Sequence, residues 1–414
     1  MKKALLAAST LASSGLLAAD VQGQLSLDDA WVAWRKGNIE NAEEIAAEHV
    51  QTAGGRHLLT FCAFAKGKYA EAEGHYRAID RAYAQLDQLD DAMLHAFLHL
   101  HRYAAAVRFA KDQAMDKAVQ AKVEARARKP FRATLDKLTQ VPFTDHPLTP
   151  YFPAFRSVVN GDTTIVHLDT GGTWLVMGPD RAEKLGIELV KAGKGLHGTK
   201  QVLLQRGTAA SFSLGDAVLK NVPVVGMPTL TGQQDFVILG TNVLQQFHST
   251  LDYPNRMLRL SPRGDKGLTK EHMEVHTTEV VEVPFFMWGD HYMFARGGFG
   301  KHRNLNFFID SGLVALDSSE GELRQACFMA TPKHYEEWGV ERDRTTAKFF
   351  ECELPISLGP LEQMNQYFTT TAKTIAENLG GVHIDGLISH AFLKEYVWTL
   401  DFDRMCYVFS KPGK

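Results

Sequence analysis

The spacing of apolar residues divides the chain into two regimes. Residues 25–138 are rich in Ala, Leu, Glu, Gln and Lys, with no proline between Leu25 and Lys129, and this composition predicts helices. Within it an aromatic or apolar residue followed three positions later by Ala recurs: Ile39 with Ala42, Tyr69 with Ala72, Tyr103 with Ala106. The intervals are 30 (69 − 39) and 34 (103 − 69) residues. Each Ala leaves room for a second helix to approach closely. The spacing predicts stacked antiparallel helix pairs, with an irregular antiparallel bundle as the alternative. Beyond residue 153 the pattern changes to short apolar runs separated by turns, which predicts strands.

Between the two regimes, Val141–Pro153 contains Pro142, Pro147, Pro150 and Pro153. Such a stretch cannot be helical, and residues 139–153 are expected to be a semi-rigid linker.

The strand region repeats itself. Ile165 to Thr173 reads I-V-H-L-D-T-G-G-T, and Asn306 to Leu313 reads N-F-F-I-D-S-G-L. Each is an apolar run ending in Asp, a hydroxyl residue and Gly. A Ser-Leu-Gly turn follows each Asp, with its Gly 46 positions on in the first copy (215 − 169) and 49 in the second (359 − 310). Then comes an apolar element ending in Gly240 in one copy and Ser389 in the other. A short helical stretch follows, with an aromatic 7 positions on (Phe247, Tyr396). Leu-Asp-aromatic triplets at Leu251 and Leu400 and a closing apolar strand complete each unit. Four landmarks in one order indicate a duplicated unit.

Two such loops in contact would place Asp169 beside Asp310. Neighbouring carboxylates cannot both ionise, so they share a proton, and such a pair can activate water. Gly171 and Gly312 suit loops that must approach closely.

At these positions the chain resembles the retropepsin-like aspartic proteases, over roughly residues 152–411. The resemblance implies a multidomain chain, α plus all-β. An antiparallel helical repeat domain (25–138) precedes two pseudo-twofold-related acid-protease β-barrel lobes, at 154–263 and 275–411. It implies an endopeptidase acting on polypeptide substrates through Asp169 and Asp310, with no cofactor and no metal. Thr170 and Ser311 would each donate to the opposite loop's backbone. Gly240 and Ser389 would lie beneath the two Asp loops. Thr173, four residues after Asp169, would bond that carboxylate; Val314, its counterpart, cannot. Ser389 in place of a Gly puts a side chain where it could push on the Asp310 loop. These two departures favour the rival reading of a degenerate, peptide-binding protein whose helical repeats recruit a partner.

The Gly-rich stretch Lys191–Gln201 falls where the family has its flap hairpin, with an ordinary loop as the alternative. Glu320–Arg344 is the longer, more helical counterpart in the second lobe. A third arrangement, in which lobes pair between two chains, is made less attractive by the duplication.

The helical region resembles tetratricopeptide-type helix pairs, whose period is about 34 residues. Its concave face is a candidate docking surface for a protein partner. His95, His99 and His101 lack any accompanying metal-binding motif and are expected to be core or surface residues.

The 414-residue chain carries a net charge of −3 with both signs mixed, which gives no support to nucleic-acid binding. Met1-Lys2-Lys3 and the apolar run to Ala19 fit a signal peptide over residues 1–22, with a first-domain helix as the alternative. Export to the periplasm or medium follows, with no integral membrane segment after signal removal. Cys62, Cys327, Cys352 and Cys406 lack metal-type spacing. In an exported protein Cys327 and Cys352 either pair or stay as free buried thiols.

Overall fold

The computed structural model describes residues 25–411 apart from 198–199, 235, 320, 346 and 373–377. The expected signal peptide, residues 1–22, lies outside the described residues. No helix among the described residues is long and apolar enough to cross a membrane.

The helical part consists of α1 (Leu27–Arg35), α2 (Ile39–Glu48), α3 (Ala53–Ala65), α4 (Tyr69–Arg77), α5 (Asp90–His99), α6 (Tyr103–Asp112) and α7 (Lys117–Arg128). Ser26 and Asp29 form a reciprocal capping box at the start of α1, satisfying backbone N–H groups that a helix start leaves open. The turns α1–α2, α3–α4 and α5–α6 each pass through a left-handed residue, Gly37, Gly67 and His101, at φ 68°, 70° and 53°. These residues stand two positions before Ile39, Tyr69 and Tyr103, so the repeat spacing marks equivalent helix starts. Ala42, Ala72 and Ala106 are fully buried, as close helix contact requires.

The strand region begins earlier than the composition suggests. β1 (Arg132–Thr134) and β2 (Thr139–Pro142) are already sheet strands. The expected linker therefore opens with a paired strand, in which Val141 lies opposite Leu258 and Pro142 opposite Met257. Proline is tolerated because β2 is the outermost strand of its sheet.

Next come β3 (Ala154–Val159), β4 (Asp162–Asp169), β5 (Leu175–Met177), β6 (Val190–His197), β7 (Lys200–Leu214), β8 (Ala217–Gly226) and β9 (Val237–Gly240). Strands β8, β5, β9, β4, β3 and β7 pair in that order, and β7 pairs back with β8 to close a six-stranded barrel. β6 and β7 form a long hairpin over the expected flap stretch; its tip at 198–199 lies outside the described residues.

β10 (Phe247–Asp252) and β11 (Met257–Pro262) lead to the second half. There β12 (Val280–Trp288), β13 (Tyr292–Phe299), β14 (His302–Asp310), β15 (Phe328–Ala330), β16 (Gln366–Thr370), β17 (Gly386–Ser389), β18 (Val397–Asp401) and β19 (Cys406–Ser410) repeat the first half's pairings. β4 runs parallel to β9 with Asp169 opposite Gly240, and β14 runs parallel to β17 with Asp310 opposite Ser389. β5 is parallel to β8 and antiparallel to β9; β15 is parallel to β16 and antiparallel to β17. An antiparallel run of six strands, β2-β11-β10-β18-β19-β12, joins the halves.

Within the expected counterpart of the flap, residues 328–330 are an interior sheet strand, and only Pro332–Glu337 and Arg342–Thr345 are helical. Residue 320 lies outside the described residues. All four cysteines are buried free thiols, so Cys327 and Cys352 do not pair.

The helical part is docked on the second half. The Trp288 ring at the end of β12 lies 5.7 Å from Trp34, 5.0 Å from Phe61 and 5.3 Å from Phe64. Polar contacts fix the orientation: Trp34 Nε1 donates to Gly380 O (2.8 Å) and Arg296 Nη2 to Gly37 O (2.7 Å). His99 stacks on Tyr69 (4.4 Å between centroids) and bonds Gly289 O (2.9 Å), so it is an interface residue.

Candidate functional site

Asp169 ends β4 and Asp310 ends β14, each just before a tight turn, so two parallel strand pairs present both carboxyls at the junction of the halves. The turns are tied together reciprocally. Thr170 N donates to Ser311 Oγ (3.0 Å) and Ser311 N to Thr170 Oγ1 (2.9 Å). Each hydroxyl passes its own proton deeper, Thr170 Oγ1 to Ile309 O (2.9 Å) and Ser311 Oγ to Leu168 O (3.1 Å). Both side chains are fully buried, so all four bonds are shielded from water.

The lock brings the carboxyls within hydrogen-bonding reach of each other. Gly171 N donates to Asp169 Oδ1 (2.8 Å) and Gly312 N to Asp310 Oδ1 (2.9 Å). Each glycine also lies against the opposite carboxyl. A Cβ at Gly312 would sit 2.2 Å from Asp169 Cγ, and one at Gly171 would sit 2.6 Å from Asp310 Cγ. Any side chain there would drive the pair apart.

Burial pushes both carboxyls up from the ordinary range. The negative charge of Asp169 pushes Asp310 up further, because a second charge so close is costly. The pair therefore retains one proton well above the pH at which isolated carboxylates lose theirs, a property of the pair as a unit.

Residues 156–243 match the aspartyl protease family model. The matched segment holds Asp169, Thr170, Gly171, Thr173 and Gly240. A retropepsin-like aspartic protease from Rickettsia conorii resembles the chain over 32% of its length and 93% of that protein's, at 18% identity and a TM-score of 0.25. No curated protein matches the chain. The family match supports an aspartyl protease reading of residues 156–243.

Gly240 lies opposite Asp169 in the parallel β4–β9 pair. A Cβ there would sit 2.4 Å from Thr173 C and 2.5 Å from Gly172 O, so the backbone of the Asp169 loop occupies that space. Ser389 lies opposite Asp310 in the parallel β14–β17 pair. Its Oγ donates to Ala326 O (2.5 Å) and accepts from Ala391 N (3.0 Å), capping the short helix His390–Leu393. The backbone over Ser389 is the register equivalent of that over Gly240, since Ser389 N donates to Cys327 O as Gly240 N donates to Trp174 O, although the chain takes 18 residues from Asp310 to reach β15 (328 − 310), against 6 from Asp169 to β5 (175 − 169). Thr173 is also placed differently: its hydroxyl donates to Asn242 Oδ1 (2.8 Å). Val314 is half-buried and offers Asp310 no hydroxyl.

Asn242 is a site residue that sequence reasoning missed. Its Oδ1 accepts from Thr173 Oγ1 and from Trp174 N (3.0 Å), and its Nδ2 donates to Asp290 O (2.6 Å). It braces the Asp169 loop against the β12–β13 turn of the other half. The second copy has Ala391 at this place, so the duplication gave no signal for it. Asp290 in turn pairs with His291 (2.5 Å), whose charge reaches Asp169. Burial alone would raise Asp290, but His291, with His95 and Lys122, holds it well below the carboxylate range.

Ser311→Ala should leave a buried N–H at Thr170 and a buried carbonyl at Leu168 without partners. The expected cost is about 2 kcal/mol of stability, read from the urea midpoint. Ser311→Thr should retain most of it, since Thr170 fills the same role opposite. A midpoint unchanged by Ser311→Ala would show that the lock contributes nothing.

Proposed function

We propose that the chain is an aspartic endopeptidase whose two strand units are the lobes of a single-chain enzyme. Asp169 and Asp310 would be its dyad, and the seven helices a tetratricopeptide-like domain. The observation that carries this reading is the reciprocal Thr170–Ser311 lock. Its four buried hydrogen bonds serve no purpose so specific as holding two carboxyls together.

One carboxyl of the pair holds the shared proton and gives it to the oxygen of the scissile carbonyl. The other, ionised, takes a proton from water, and the hydroxide so formed adds to the carbonyl carbon. The tetrahedral intermediate then collapses. The C–N bond breaks, the leaving nitrogen takes the proton gained from water, and the gem-diol proton returns to the dyad as the acid product forms. The β6–β7 hairpin would close over an extended polypeptide. The N-terminal run would direct export.

The test is cleavage of an unstructured peptide mixture by the purified chain between pH 4 and 8, followed by mass spectrometry. Internal cuts blocked by a peptide carrying a hydroxyl in place of the scissile carbonyl support the reading. A folded chain that binds peptides and leaves them whole at every pH would replace it with the peptide-binding alternative.

A further inference from the structure

The faces flanking the two Asp strands are covered by different things. In the first half, Val176 and Ile238 share a buried cluster with Val202 and Leu204 of the β6–β7 hairpin. Their register equivalents in the second half are Met329 and Leu387. These belong to the buried cluster of the helical part, together with Phe286, Phe294 and Phe308. Phe308 alternates with Asp310 along β14, so it points to the same side. The helical part thus takes, on the second half, the place that the hairpin takes on the first.

The charged edge of this helical wall lies next to the Asp169 loop. Lys122 and Arg126 stand four apart on α7 and so share one helix face. The Arg126 guanidinium lies 5.5 Å from the centre of the Trp174 ring, five positions beyond Asp169. Arg126, Trp174, Asn242 and Asp290 line one cavity of about 250 Å³. Arg206, on strand β7 of the hairpin, is close enough to interact electrostatically with both α7 cations and with Asp290. All three cations are half-buried.

Among the described residues, none of the three forms an ion pair or a side-chain hydrogen bond. The carboxylate common to their surroundings, Asp290, is already taken by His291 at 2.5 Å. Burial, with the charge of Arg126, pushes the Lys122 ammonium down to about 8. Partly desolvated cations with no ion pair or hydrogen bond leave part of their solvation cost unrecovered, and an incoming anion recovers it. Structural ion pairs would have been closed within the fold; here Arg126 is left open toward the cavity beside the Asp169 loop, with Lys122 and Arg206 near enough to act on it.

We propose that Lys122 and Arg126 of the helical wall, with Arg206 of the hairpin, form a specificity site for a carboxylate on the polypeptide substrate. The helical part is then a wall of the substrate cleft as well as a neighbouring domain. This rests on the aspartic-protease reading for what the cleft holds. The carboxylate belongs either to an acidic side chain or to the peptide's C-terminus.

Binding is measured by fluorescence anisotropy on the full-length Asp310→Asn chain, so turnover does not interfere. Three versions of one short unstructured peptide carry a neutral fluorophore. One has a Glu and an amidated end, one has Gln there and an amidated end, and one has Gln and a free carboxylate. The Glu peptide or the free-ended peptide should bind about ten- to a hundredfold tighter than the doubly neutral one, and which of them does so identifies the source. Lys122→Gln or Arg126→Gln should remove most of that advantage and leave the neutral peptide within about twofold. Equal binding of all three peptides, absence of binding, or a charge preference that survives the triple Gln variant would overturn the proposal. Cleavage by the unmodified chain is scored separately. Cleavage without charge preference would remove this site and leave the protease reading intact. Charge-selective binding without cleavage would do the reverse.

Discussion

Asn in place of Asp310 should lower peptide cleavage by at least about a thousandfold, since loss of a positioned acid–base group typically costs 10² to 10⁴ and this pair works as one unit. Asp169→Asn should do the same, and the double variant should be no worse than either single one. The substitution is isosteric, and the Thr170–Ser311 lock does not involve the Asp310 side chain, so the fold should survive. Stability supplies a control whose sign is fixed. Burial and the charge of Asp169 raise Asp310 above its unfolded value. The stability this group contributes is complete below the unfolded value of about 3.9 and is lost as pH rises through the folded value. Near pH 7 the native carboxyl is therefore a net cost, and Asp310→Asn should melt at the same or a higher temperature than the parent. Lost activity with a lowered melting temperature would instead indicate a misfolded variant and would not support the dyad.

Acidification should destabilise the chain strongly between pH 7 and pH 5. His57, His272 and His390 are buried, and burial depresses their imidazoles to about 4, about 3 and about 3. One ring nitrogen of each, His57 Nε2, His272 Nδ1 and His390 Nδ1, has no hydrogen-bond partner among the described residues. Protonation would therefore bury a charge and leave an N–H group unsatisfied. Because the folded values lie below the unfolded value of about 6.5, the unfolded chain binds more protons in the interval. Stability is full above about pH 6.5 and falls as pH drops toward the folded values. Three such groups acidified by 1.5 units cost on the order of 6 kcal/mol, a large part of the 5–15 kcal/mol typical of a domain. His99 and His276, each depressed to about 4 chiefly by burial, act in the same direction. A melting temperature lower by roughly 10 °C or more at pH 5 than at pH 7 is expected. A flat melting profile across that range would show that these histidines are not buried neutral.

The duplicated landmarks were legible because each is local. An apolar run into Asp-hydroxyl-Gly describes one strand and its turn, and Val237-Ile238-Leu239-Gly240 describes another. What lay outside reach was set by contacts between distant segments. The register of Ser389 matches that of Gly240, but the equivalent backbone meets the two positions differently. Gly172 and Thr173 crowd Gly240, whereas Ala326 offers Ser389 a carbonyl. Thr173 was expected to bond Asp169, yet Asn242, 69 positions later (242 − 173), provides the acceptor. The four prolines of Val141–Pro153 signalled a linker, because proline is rare inside sheets. Pro142 is admitted as an edge residue, and edge position cannot be read before the sheet is assembled.

The docking of the helices was the largest feature hidden in the sequence. Trp288, Phe294 and Phe308 read as ordinary strand residues. Only in the fold do they meet Trp34, Phe61 and the rest of the helical core. That contact covers Met329 and Leu387 of the second half, where the β6–β7 hairpin covers Val176 and Ile238 of the first.

The measurement that most directly tests the central claim is titration of the dyad by carbon-13 carboxyl NMR, with Asp169→Asn and Asp310→Asn used to assign the two signals. The account predicts two coupled steps that move both signals together, the later one well above the ordinary carboxylate value of about 3.9. Each single variant should collapse the coupling into one step. Two independent titrations near 3.9, unaffected by substitution of the partner, would show that Asp169 and Asp310 share no proton, and would contradict the account.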